Sequence, residues 1–128
     1  MHALDVWALI AFLNGEAPAA ARVRRVLREE RPLMSWINFG EVAYTLERRE
    51  GPERALEKLS DLAGGLTLDV PTPERVLAAA SIKANHRMSY ADAFAVTTVR
   101  AFDAVLLTGD PEIIDAGVAR VEDLRPRP

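Results

Sequence analysis

The sequence contains no cysteine, which excludes disulfides, zinc–thiolate centres and thiolate nucleophiles and makes the cytosol the expected compartment. Histidine is almost absent too. His2 and His86 are the only two, and neither is placed to support a His-pair ribonuclease or a Ser-His-Asp triad. Lysine occurs only at Lys58 and Lys83, and the formal net charge is −3. The strongly basic footprint of a simple nucleic-acid binder, which works through phosphate contacts, is therefore missing. No HExxH, Walker A, GxGxxG or GxSxG motif is present, which removes zincin, P-loop, dinucleotide and hydrolase-elbow chemistry. Long hydrophobic runs are lacking as well. The stretch "VWALIAFLNGEAPAAA" imitates a signal peptide, but no Lys or Arg precedes it, and Val6 to Leu13 is too short to span a membrane. The expectation is a chain without a leader and without a membrane segment.

What is there is ordinary for a globular protein: 128 residues, 49% apolar and 27% charged, enough to bury a core as one domain spanning residues 1–128. No repeat, low-complexity tract or linker divides it. Residues 3–5 read as a short strand, followed by a helix over Val6–Leu13 that "NG" stops. Pro18 opens the helix "AAARVRRVLREE", whose Arg-rich face reads as solvated. "PLMSW" reads as a second strand leading into the helix "NFGEVAYTLERRE". Pro52 opens "PERALEKLSDLA", and Gly64 and Gly65 end it. "LTLDV" alternates as a third strand, "TPERVLAAASIKAN" and "SYADAFAVTTVRAF" are helical, "AVLLT" is a fourth strand, and "GVARVEDL" holds a weak fifth. Strands alternating with helices predict an α/β fold with a mostly parallel sheet covered on both faces. Ligands in such sheets bind outside the carboxyl ends of the strands.

Two strands end by presenting an acid at that edge, Asp5 in "ALDV" and Asp110 in "LLTGDPE". Two more acids stand near helix starts, Glu41 in "NFGE" and Asp92 in "SYAD". Each has a plain explanation as a helix cap. Asp5 and Asp110 can be N-caps, and Asn38 with Glu41, like Ser89 with Asp92, forms a capping-box pattern. Asp92 strains that explanation. Met88, Ala95, Val96 and Val99 surround it at helical spacing, so its carboxylate faces inward, which is costly without a partner. Glu41 is flanked by Phe39, Val42 and Ala43. By contrast Glu47, Glu50, Glu53, Glu57 and Glu74 lie among Arg and Lys and read as solvated surface. Four acids converging on one rim would repel each other. A divalent cation relieves that repulsion, and an all-oxygen donor set favours Mg²⁺ or Mn²⁺ over zinc.

The motifs "ALDVWALIAFLNGE", "INFGEVAYTL", "MSYADAFAV" and "VLLTGDPE", in this order across almost the whole chain, resemble the four acidic motifs of PIN domains, particularly VapC-type toxins of prokaryotic toxin–antitoxin pairs. The resemblance implies a PIN-like three-layer α/β/α sandwich with strand order 3-2-1-4-5. It implies an Mg²⁺-dependent endoribonuclease with Asp5, Glu41, Asp92 and Asp110 as the acidic cluster. Asp5, Asp92 and Asp110 would hold Mg²⁺ or Mn²⁺, and Glu41 would orient or deprotonate the attacking water. Thr108 matches the small polar residue often found before the last acid. The partners implied are a cognate antitoxin and an RNA substrate, with a cytoplasmic homodimer as the expected assembly. One position departs from the pattern. Family members commonly carry Ser, Thr or Asn two residues after the first acid, and here that residue is Trp7. An indole cannot make the same hydrogen bond, which favours an alternative: a catalytically weak PIN-like protein-binding module acting only in complex with its partner. A response-regulator receiver domain shares the sheet and an acidic pocket. It needs a lysine on a late strand, and both lysines here fall in helices.

Overall fold

In the computed structural model, which describes residues 1–128, the chain alternates strands and helices from end to end. The order is β1 (His2–Leu4), α1 (Val6–Leu13), α2 (Ala19–Glu29), β2 (Leu33–Ser35), α3 (Trp36–Glu50) and α4 (Pro52–Gly64). It continues with β3 (Thr67–Asp69), α5 (Pro73–Asn85), α6 (Tyr90–Phe102), β4 (Val105–Thr108), α7 (Pro111–Ala116) and β5 (Val121–Asp123). The five strands form one sheet in the order β3-β2-β1-β4-β5, and every pairing is parallel. The expected strand order and three-layer arrangement are therefore present, and the sheet is fully rather than mostly parallel. None of the helices is long and apolar enough to cross a membrane.

Alternation along each short strand divides the core. Leu4, Met34 and Leu107 point to one face, where α1 to α4 supply Leu9, Val23, Val42, Leu46 and Ala55. Ala3, Leu33 and Leu106 point to the other, against Phe94, Val96 and Val99 of α6, Ile82 of α5 and Ile113 of α7. Successive residues of a strand face opposite sides, so neighbours Leu106 and Leu107 are both fully buried but lie in different cores.

Local sequence chemistry sets the helix starts. Thr72 caps α5 by accepting from the Arg75 N–H at 3.2 Å, and Ser89 caps α6 by accepting from the Asp92 N–H at 3.1 Å. One expected cap is corrected. The α3 helix begins at Trp36, with the Ser35 hydroxyl accepting from the Ile37 N–H at 3.2 Å. Ser35 thus ends the strand and starts the helix with no intervening turn. Asn38 is then a buried helical residue, whose amide donates to the Ala91 carbonyl of α6 at 2.8 Å. The weak fifth strand narrows to Val121–Asp123, tied to its neighbour where the Leu124 N–H donates to the Thr108 carbonyl at 2.8 Å.

A sheet covered on both faces makes a definite demand on β4. Leu106→Ala and Leu107→Ala should each destabilise the protein by about 2–5 kcal/mol in urea denaturation. A strand with one wet face would show that loss for only one of the pair.

Candidate active site

All five strands run the same way, so the ends of β1, β2 and β4 share one edge, and helices α1, α3 and α6 start there. Asp5 follows β1 directly and is 1% exposed. One of its carboxylate oxygens accepts from the Ala8 N–H at 2.8 Å, capping α1, and the other accepts from the Thr108 hydroxyl at the end of β4. Thr108 is itself fully buried, and its hydroxyl oxygen accepts from the Asp110 N–H at 3.0 Å. That contact turns the chain back after the strand. Asp110 then caps α7, one oxygen accepting from the Glu112 N–H at 2.9 Å. Asp92 reaches the same edge from the first turn of α6 and is half-buried.

The electrostatics show which acids face one another. Burial pushes Asp5 up to about 7; the hydrogen bonds from Thr108 and Ala8 oppose the shift, and the charges of Asp92 and Asp110 add to it. Asp92 is pushed up to about 6, first by burial and then by the Asp110 charge, with Ser89 pulling the other way. Asp5, Asp92 and Asp110 are therefore brought within reach of each other's charge. Glu41 is not. It sits half-buried on the second turn of α3, and burial alone raises its pKa. Asn38, one turn earlier on the same helix, donates to the carbonyl of Ala91, the residue next to Asp92.

Asp5 and Asp110 are helix caps, as the plain explanation holds, and they also belong to a carboxylate group. A carboxylate oxygen that accepts one hydrogen bond keeps a further lone pair. No three His, Asp or Glu side chains close on a common point as a ready-made cage. Both Asp5 oxygens are turned to Thr108 and Ala8, while the Asp92 and Asp110 carboxyl groups approach each other. The donors on offer are carboxylate and hydroxyl oxygens, with no sulfur and no imidazole among them. Such a set fits a hard divalent cation.

The fit of Trp7 depends on a contact that its position in the sequence does not announce. A Cβ built on Gly109 would lie 2.2, 2.4 and 2.5 Å from Cζ2, Cη2 and Cε2 of the Trp7 indole. The ring therefore presses against the Gly109 backbone, between Thr108 and Asp110, and only glycine leaves room for it. Where a small polar side chain would hydrogen-bond, this chain packs an aromatic ring on the loop that carries Asp110.

Asn38, Trp36 and Tyr90 also reach this edge. Asn38 is read from local sequence as a cap, and neither aromatic ring has a local signature that places it there.

Compared with known proteins, residues 3–119 match the family model described as PIN domain, a span that includes all four acids. No curated protein gives a significant match. Among solved structures, a chain of DNA-bound VapBC from Salmonella typhimurium superposes with a TM-score of 0.77 at 18% identity, covering 97% of this chain and 98% of that one. VapBC2 from Rickettsia felis, bound to a DNA fragment from its promoter, gives 0.76 at 12% identity over 95% and 97%. The Mycobacterium tuberculosis toxin VapC20, described as cleaving the sarcin–ricin loop, gives 0.74 at 18% over 91% and 95%. At such identities the likeness is one of fold.

The raised carboxylates fix the sign of a pH effect. Asp5 and Asp92 have folded pKa values above their unfolded ones, so their contribution to stability is fullest below the unfolded value and is lost as pH rises through 6 to 7. In EDTA, the melting temperature should fall between about pH 5 and about pH 8, and Asp5→Asn should remove much of that fall. A flat or rising wild-type profile would contradict the arrangement.

Proposed function

This chain belongs to the PIN domain family, and from that premise we propose that residues 1–128 form one nuclease domain, a divalent-metal-dependent endoribonuclease that is the toxin of a toxin–antitoxin pair. The observation that carries the reading is the meeting of Asp5, Asp92 and Asp110, from three separate elements, at the carboxyl edge of the sheet, where burial and neighbouring charge raise the proton affinity of Asp5 and Asp92. A site that holds protons against its own repulsion is equally a site that favours a cation in their place.

In this reading Asp5, Asp92 and Asp110 hold Mg²⁺ or Mn²⁺. When bound, the cation supplies Lewis acidity and offsets the charge that builds on the phosphate during in-line displacement. Thr108 fixes the Asp5 carboxylate by donating to one oxygen, and it sets the turn that aims Asp110. Glu41, outside the aspartates' mutual field, is the carboxylate free to orient the attacking water and accept its proton. Burial raises its proton affinity, which suits a base.

The structures of VapBC complexes from other organisms support an antitoxin as the cognate partner. We place the protein in the cytoplasm as a homodimer, to which the exposed Leu77 of α5 and Phe102 of α6 offer apolar surface. A second reading, the catalytically weak module acting only in complex with its partner, is favoured by one observation: the Trp7 indole occupies the place of a polar site residue.

Cleavage assays separate the two. Protein freed of its partner should cut RNA in Mg²⁺ or Mn²⁺ and leave it intact in excess EDTA. Asp92→Asn should lower the rate by more than about 100-fold, since even changes around the ligands of a metal cost 10–100-fold. Cleavage that survives EDTA, or is equal in Asp92→Asn, would defeat the metal-nuclease reading. Intact RNA under all conditions, with a copurifying partner, would establish the inert module.

A further inference from the structure

Two exposed aromatic rings stand at the edge that carries the carboxylates. Trp36 is the first residue of α3, directly after the end of β2, and Tyr90 is the first residue of α6, two positions before Asp92. They are 46% and 44% exposed. The two helix starts are tied together by the Asn38 amide, which donates to the carbonyl of Ala91 at 2.8 Å. Each ring is braced by a buried phenylalanine of its own helix. Trp36 meets Phe39 edge-on at 5.5 Å and 89°, and Tyr90 meets Phe94 at 4.9 Å and 60°. Both rings are thus held in place at little further entropic cost, while nearly half of each remains open to solvent.

The charge around them limits what can dock. A rim of carboxylates and a net charge of −3 give a polyanion little purchase. Arg87, three residues before Tyr90, offers a positive charge, with a 98% exposed side chain and one loose ion pair to Glu112 at 3.9 Å. Affinity for RNA here must draw in part on contacts that do not depend on phosphate. Stacking supplies such contacts, because every base has a π-face.

We infer that Trp36 and Tyr90 are stacking platforms for unpaired nucleobases of an RNA loop, with Arg87 taking one adjacent phosphate. The inference rests on the ribonuclease reading and deepens it by naming two residues on which bases free of pairing stack.

The test uses an RNA stem-loop with 2-aminopurine in the loop, and the same stem-loop with abasic loop nucleotides. In EDTA, where binding can be read without cleavage, the wild type should quench 2-aminopurine on binding. Trp36→Ala and Tyr90→Ala should each weaken binding by about 5- to 100-fold, and Trp36→Phe should retain most of the affinity. Neither Ala variant should weaken binding to the abasic RNA further. The dependence of log affinity on log salt should have a slope near −1, as one or two phosphate contacts require. In Mg²⁺, the same variants should raise KM and leave kcat within about twofold of the wild type, as loss of uniform binding does. Thermal melts confirm that the variants fold.

Unchanged binding by both variants, or an equal loss on the abasic RNA, overturns the inference. So does a result in which the variants lose only inhibition by the copurified partner, which would make the rings a protein-docking surface. A wild type that quenches 2-aminopurine but does not cleave RNA in Mg²⁺ supports the platforms and rejects the nuclease. A wild type that cleaves with KM unaffected by either substitution does the reverse.

Discussion

The structure turns on burying one carboxylate, Asp5, at the end of the central strand. Its 1% exposure is made tolerable by two hydrogen bonds, from the Ala8 N–H and the Thr108 hydroxyl. Those two bonds join α1, β1 and β4 at one point. Thr108 then accepts from the Asp110 N–H and its carbonyl accepts from Leu124, so β5 and α7 are registered on the same atom group. The site edge is a chain of hydrogen bonds that begins and ends on acids.

Capping and ligation are usually treated as rival explanations of an acid at a helix start. Here the same carboxylates cap helices and meet one another, so the geometry admits both. A cap holds the carboxylate at a fixed place on the sheet edge, and the parallel sheet brings several such places together. Burial and repulsion then leave the group short of positive charge. The Trp7 ring pressed on Gly109 belongs to the same logic, since it covers the loop between Thr108 and Asp110 with packing in place of a hydrogen bond. Overfilling that contact with any side chain at position 109 would move the loop that carries Asp110.

Much of this was legible in the sequence, because it follows from local rules. Strand alternation and Pro, Gly and Ser/Thr punctuation located the elements to within a few residues. The apolar spacing around Asp92 announced an inward carboxylate. What escaped has long-range causes. Asn38 looks like a cap beside Glu41, yet Ser35 caps α3 and Asn38 reaches across to Ala91, a partner in a distant helix. Glu41 shares the motif pattern with the three aspartates, but its second-turn position on α3 keeps it out of their mutual field. The Trp7–Gly109 contact joins opposite ends of the chain, and no periodicity encodes it.

The claim on which the account depends is that Asp5, Asp92 and Asp110 share an ion. Calorimetric titration of Mn²⁺ into the wild type and into Asp5→Asn, Asp92→Asn, Asp110→Asn and Glu41→Gln, at about pH 8, above the values to which Asp5 and Asp92 are raised, tests it directly. The account predicts a wild-type site weakened by about tenfold or more in each aspartate variant, with a smaller effect in Glu41→Gln. Equal Mn²⁺ affinity in the wild type and all three aspartate variants would contradict it.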